Sequence, residues 1–242
     1  MQKINRFYRT NYEGENMTTR MTWEDGQWKM QSEFIPNRVV NTQISKQAVV
    51  IGNGSSRESF ELFHLQNPLI GLYGARAVQT YGCNALYRDF EPTFLIATGA
   101  EIIEEIVESG YCDDHIVYAN SGAVAKYPGK FYLIPQDPHY NSGTIATYLA
   151  CFDGHEKVYL YGFDGESGVN MYADSPCYQP NNNTVNEEFW NKVMVQIMTL
   201  YSDTEFIRVA PNEGYSCPDA WLSLPNFRQI DHQRFHVEIN AN

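Results

Sequence analysis

Ala48-Val49-Val50-Ile51 runs directly into Gly52-Asn53-Gly54-Ser55-Ser56-Arg57. Four apolar residues in a row, three of them β-branched, suit a strand buried on both faces, and the glycines that follow suit its exit turn. The same texture recurs at residues 93–97, 115–118, 131–134, 157–161 and 205–209, with a further candidate around 78–81. Helical spacing lies between these runs. A helix is expected around 100–109, with Ile102, Ile103, Ile106 and Val107 inward. A second should run from about Ser142 to Phe152, closed by Gly154. A capping box at Thr184-Val185-Asn186-Glu187 predicts a third, reaching about Tyr201. Phe189, Val193 and Ile197 stand at i+4 spacing on it, with Trp190 and Met194 beside them. Continuous apolar strands separated by amphipathic helices predict an α/β fold with a mostly parallel sheet and helices on both faces.

Residues 1–46 have a different texture, and they form an arm in front of a main domain at 47–242. Asp25-Gly26 is a favoured type I′ turn, because both central residues need positive φ. Its register sets Glu24 opposite Gln27, Trp23 opposite Trp28, Met21 opposite Met30 and Met17 opposite Phe34. Pro36-Asn37 ends the second strand. An isolated two-stranded ribbon is marginal in water. The hairpin face must therefore pack on the main domain or on another subunit, which leaves homo-oligomerisation or a larger assembly through residues 1–46 open.

The chain has 242 residues and a formal charge of −12. The arm holds seven Lys/Arg and five Asp/Glu, a net of +2; the remainder holds ten and twenty-four, a net of −14. An acidic main domain argues against duplex nucleic-acid binding by blanket phosphate neutralisation. No apolar window is long enough for a membrane span, and the amino end does not read as a signal peptide. The five cysteines are odd in number and include no Cys-x-x-Cys pair, so reduced thiols are expected rather than a disulfide framework. None of the six histidines joins a triad or a metal-ligand set, and no metal site is expected.

Parallel sheets of the Rossmann-like kind bind ligands beyond the carboxyl ends of their strands. The loops in those places are informative. Gly52, Asn53, Gly54 and Ser55 offer backbone for close approach to a phosphate, or a plain strand-to-helix turn. Arg57 occupies the third-glycine position of a dinucleotide fingerprint, and no P-loop is present. Asn84 can read a base or ribose edge, while Arg88 beside Asp89 suits a structural ion pair. Asn141 or Ser142 caps a helix, and Ser142 with Gly143 could hold a phosphate there. Asp164 is a candidate base or metal contact, or a turn carboxylate capping local N–H groups.

Taken in order, Gly52-Asn53-Gly54-Ser55-Ser56, Cys83-Asn84-Ala85-Leu86-Tyr87, Asn141-Ser142-Gly143-Thr144 and Tyr161-Gly162-Phe163-Asp164 with Tyr172 resemble motifs of the bacterial lipo-oligosaccharide sialyltransferases. The chain is also similar to the related 6-hydroxymethylpterin pyrophosphokinase-like Rossmann-like proteins. The wording of residues 81–90 and 5–10 resembles uncharacterised proteins of tailed bacteriophages. The resemblance implies that Gly52, Asn53, Gly54, Ser55, Asn84, Ser142 and Gly143 contact a nucleotide, with a CMP-sugar or other nucleotide-sugar as donor. It implies that Tyr172 hydrogen-bonds the leaving phosphate. The family's general-base histidine has no counterpart in residues 174–183, and its second phosphate-binding tyrosine is replaced by Gly165 and Glu166. A base here would be Asp164 or Asp174. The expected function is nucleotide-dependent glycosyl or phosphoryl transfer in a host cytoplasm. The alternative is an inactive virion or assembly protein on the same fold.

Overall fold

The computed structural model describes residues 3–9, 15–36, 46–58, 62–65, 78–135, 138–164, 169–178, 186–212 and 214–240. An eight-stranded, wholly parallel sheet forms the centre of the main domain. The arm forms a separate three-stranded antiparallel sheet of β1 (Lys3–Arg9), β2 (Glu15–Glu24) and β3 (Gln27–Pro36).

Asp25 and Gly26 both have positive φ, at 53° and 76°, as the type I′ turn requires. The β2–β3 register is the expected one: Glu24 pairs with Gln27, Trp23 with Trp28, Met21 with Met30 and Met17 with Phe34. The sheet also holds a strand the sequence reading did not foresee, since β1 pairs along β2 from Lys3–Thr22 to Arg9–Asn16. Its backbone passes beside one edge of the main domain.

In the main domain the strands are β4 (Gln47–Ile51), β5 (Gln79–Cys83), β6 (Phe94–Ala97), β7 (Val117–Ala119), β8 (Tyr132–Leu133), β9 (Lys157–Tyr161), β10 (Glu205–Ala210) and β11 (Phe227–Asp231). Their spatial order is β11-β10-β9-β4-β5-β6-β7-β8. From β4 the chain winds outward to β8, returns to place β9 on the other side of β4, and winds outward again to β11. The order therefore reverses between β4 and β9, where open parallel sheets have their ligand crevice. The edge beside β1 is β8, together with α3 (Ser121–Lys126).

Residues alternate along each strand between two apolar layers. Ala48, Val50, Tyr81, Phe94, Val158 and Leu160 join one layer with α4 (Ser142–Phe152) and α5 (Glu187–Leu200). Val49, Ile51, Leu95, Val117, Tyr159 and Ile207 join the other, with α1 (Ala100–Glu108), α3 and α7 (His232–Asn240). This is why the strands read as unbroken apolar runs: both faces are covered. Two short helices complete the fold, α2 (Tyr111–Asp114) and α6 (Asp219–Leu222).

Two local expectations are corrected. The cap of α5 is Asn186, whose side chain accepts from the Phe189 N–H; Thr184 and Val185 lie outside the described residues. Asparagine caps as well as threonine, and starting at Glu187 puts Glu187 and Glu188 in the first turn, where the helix dipole favours them. Phe189 is also 50% exposed, because the buried stripe of α5 is Trp190, Val193, Met194, Ile197 and Met198.

Candidate functional site

The loops after β4 and β9 are bonded to each other. Gly52 N–H donates to Tyr161 O at 2.7 Å and Gly54 N–H to Gly162 O at 3.0 Å. Ser55 N–H donates to Val169 O at 2.9 Å, and Met171 N–H to Asn53 O at 2.8 Å. A Cβ on Gly52 would lie 2.5 Å from Gly162 O, and one on Gly54 would lie 2.5 Å from the Asp164 carboxylate. Gly162, at φ +74°, completes the contact. The glycines thus allow two chain segments to approach each other.

Asp164 is buried and holds this junction. Its Oδ2 accepts from Ser56 N–H at 2.8 Å, and its Oδ1 accepts from the Ser56 hydroxyl. Asp164 therefore caps the one-turn 3-10 segment Ser55–Arg57 from a sequence-distant loop, not the local N–H groups that the sequence reading offered as its capping alternative. The N–H groups of Gly52, Gly54, Ser55 and Ser56 all have protein acceptors. The expected phosphate cradle of unbonded N–H groups is therefore not what these four positions provide.

Hydrogen-bond donors gather one loop further along. Asn84 opens the 3-10 turn Asn84–Arg88 in the left-handed region, at φ 49°. Its amide donates to the Ser142 hydroxyl at 2.8 Å, and its Oδ1 accepts from Thr98 N–H at 3.3 Å. Asn141 caps α4 by accepting from the Thr144 N–H and hydroxyl. Among the described residues no acceptor takes the Ser142 or Gly143 N–H. Gly143 faces the Phe163 ring, which also lies against Gly52. Nearby, burial pushes the Cys83 thiol up to about 12, against the opposing influences of the Arg57 charge and the Ser142 hydroxyl. Cys83 is therefore a thiol rather than a nucleophile.

The segment after β9 adds two tyrosines. Tyr172 accepts from Arg57 Nη2 at 3.0 Å and donates to Asp89 Oδ2 at 2.7 Å. The Arg57 and Arg88 guanidinium carbons lie 5.8 and 5.9 Å from the centroid of its ring. Burial drives the Tyr172 pKa well above the ordinary phenol value, Asp89 adds to the rise and Arg57 opposes it, so Tyr172 is neutral near neutral pH. The Tyr178 hydroxyl is buried with no hydrogen-bond partner of good geometry, close to the Ala85 N–H and the Asn84 amide.

Arg88 pairs with Glu105 rather than with its neighbour Asp89. Its Nε and Nη2 reach Oε1 and Oε2 at 2.8 and 2.5 Å. This fork is the leading cause that holds the Glu105 carboxyl below its ordinary value. Arg88 Nη1 also donates to the Ser175 hydroxyl at 2.9 Å, tying the tyrosine segment to α1.

The structure thus brings Asn84, Ser142, Tyr172 and Tyr178 near one another beyond the carboxyl ends of the strands close to the switch point. Asp174 sits in a left-handed turn at φ 63°, exposed, with its N–H bonded to Tyr178 O. Gly165 and Glu166 lie outside the described residues. Sequence reasoning missed Arg57 and Asp89 as members of this group. Arg57 had registered only as a mismatch to a glycine motif, and nothing local signals its burial. Among the described residues, no group of His, Cys, Asp or Glu is placed to hold a metal ion. All five cysteines are unpaired thiols. No described helix is long and apolar enough to cross a membrane. No family model, no curated protein and no solved structure matches the chain.

Proposed function

We propose that this chain binds a nucleotide or nucleotide-sugar in the crevice beyond β4, β5 and β9, as a transferase-like protein acting on a glycosyl or phosphoryl group. The observation that carries this reading is the gathering of Asn84, Ser142, Tyr172 and Tyr178 from sequence-distant loops to the point where strand order reverses. Asn84 supplies a neutral edge of the kind that reads a base or ribose. The unpaired Ser142 and Gly143 N–H groups supply donors at the positive end of α4. With both oxygens of Asp164 engaged by Ser56, a proton-accepting role falls to Asp89 or Asp174, which are exposed. Asp89 is the better placed of the two, since the Tyr172 hydroxyl orients it.

The test is a thermal-shift titration of the purified chain with CMP, CDP and their sugars. A rise in melting temperature with at least one of them is expected. No shift with any nucleotide at millimolar concentration sinks the reading.

A second reading is an inactive fold used for assembly through residues 1–46. It is favoured by the Gly54–Asp164–Ser56 junction, whose glycines and carboxylate are fully explained by holding the chain together. Mass photometry separates the two. A monomer whose mass distribution is unchanged in shape on deleting residues 1–46 counts against assembly.

A further inference from the structure

Arg57 is only 4% exposed. Burying a guanidinium is unfavourable unless its charge and its N–H groups are met. Among the described residues, the other buried or part-buried arginines are met. Arg88 has the Glu105 fork. Arg228 has Glu205 and Glu238. Arg208, 1% exposed, has no carboxylate partner among the described residues but is met by Ser216 O, Gln229 Oε1 and the Tyr215 ring, and it leaves no buried nitrogen unbonded.

Arg57 differs from all three. Nη2 donates to the Tyr172 hydroxyl, Nε is buried without a partner, and among the described residues no carboxylate lies within ion-pair distance. A carboxylate reaches Arg57 through one intermediary, the Tyr172 hydroxyl that donates to Asp89. A second buried donor with no good partner, the Tyr178 hydroxyl, belongs to a ring whose centroid is 6.1 Å from that of Tyr172.

We infer that Arg57 is the charge-bearing residue of an anion subsite, which takes a phosphoryl or carboxylate group of the ligand with the Tyr178 hydroxyl as a neutral donor beside it, while the Tyr172 hydroxyl, which donates to Asp89, positions the guanidinium. The inference rests on the reading of this crevice as a ligand site, and it adds the requirement that the ligand be anionic. The planar fork of arginine suits both oxyanions, and an incoming negative charge supplies what the fold leaves unmet. Asp89 tempers the site by drawing the Tyr172 hydrogen away from the crevice. Asp89→Asn is therefore expected to tighten anion binding.

The test uses the full chain, with calorimetric titration and melting curves for wild type, Arg57→Met and Arg57→Lys. The probes are CMP, cytidine, inorganic pyrophosphate and malonate. Wild type is expected to bind CMP at least about tenfold more tightly than cytidine, a difference of the size of one charged hydrogen bond. Arg57→Met should erase that preference while leaving cytidine binding intact, and its unliganded form should melt no lower than wild type, because an unmet charge has been removed. Arg57→Lys, which keeps the charge and the fold, should retain part of the preference. Equal binding of CMP and cytidine by wild type overturns the subsite but not the nucleoside crevice. An unchanged preference in Arg57→Met, or a lower melting point with anion response preserved, shows a structural arginine and overturns it too. Pyrophosphate or malonate stabilising wild type but not Arg57→Met, without any nucleoside binding, upholds the subsite, names its anion class and rejects the nucleotide reading. No response to any probe rejects both.

Discussion

Gly54 is held as closely as Gly52 at the level of single residues. Alanine there would set its Cβ 2.5 Å from the Asp164 carboxylate and 2.7 Å from Gly162 O. Neither neighbour can retreat without breaking the bonds to Ser56 or Gly54 itself. Gly54→Ala is expected to lower unfolding stability by about 1–3 kcal/mol, the range for overpacking, read from urea denaturation midpoints. Asp164→Ala removes the cap instead and should cost about 0.5–2 kcal/mol by the same measurement, while Asp164→Asn, which keeps one acceptor oxygen, should cost less. If Asp164 were the catalytic base, the Asn variant would be folded, stable and inactive in any transfer assay. The structure predicts that it keeps whatever activity the wild type shows. These residues also mark where sequence reading stops. The Gly-Asn-Gly run signals only that something approaches the backbone closely. A ligand phosphate and a neighbouring loop leave the same trace, and only the fold shows that here it is the loop after β9.

Arg228 and Glu238 join β10, β11 and α7 at the scale of elements. Arg228 reaches Glu238 through Nη1 and Nη2 at 3.0 and 2.7 Å, and Glu205 through Nε at 2.6 Å. Hydrogen bonds from Arg228, with a smaller contribution from Arg234, pull the Glu238 pKa from its ordinary 4.5 to about 2. Because the folded value is the lower one, the stabilisation is fully present above about 4.5 and is lost as pH falls toward 2. Glu238→Gln should therefore be less stable than wild type at pH 6, and the two urea midpoints should converge as pH drops through that window. A constant gap down to the bottom of the window would show that the pair contributes by packing rather than by charge. Most of the central elements were legible beforehand, since β4, β6 and β9 are mainly continuous apolar runs, β10 is one interrupted by Arg208, and α4 carries its cap and closing glycine in plain sight. The edge was not. β11 reads Phe-Arg-Gln-Ile-Asp with only its first and fourth residues buried, so it carries no apolar run to find. β1 was missed for the same reason, because its residues mix apolar, polar and basic types.

The charge asymmetry of the sequence becomes a prediction once the whole molecule is considered. Residues 47–242 carry −14 and residues 1–46 carry +2. The two stretches form separate sheets, and the arm's first strand lies beside β8 and α3 at one edge of the acidic domain. Among the residues whose burial is described, the two apolar layers of the main domain draw on positions after 47, and a fragment of residues 47–242 is expected to fold alone and unfold cooperatively. Its self-repulsion is then unrelieved by the arm. Salt screens such repulsion over about 10 Å at 0.1 M, so the fragment's melting temperature should climb with sodium chloride. In the full chain salt has opposing effects: it screens repulsion within the acidic domain and also weakens attraction between the arm and that domain. Its melting temperature should rise less steeply over the same range. Parallel salt curves for the two proteins would show that the arm makes no electrostatic contact with the domain. A fragment that fails to fold at any salt concentration would show instead that the arm's packing along β8 and α3 is part of the domain's own stability.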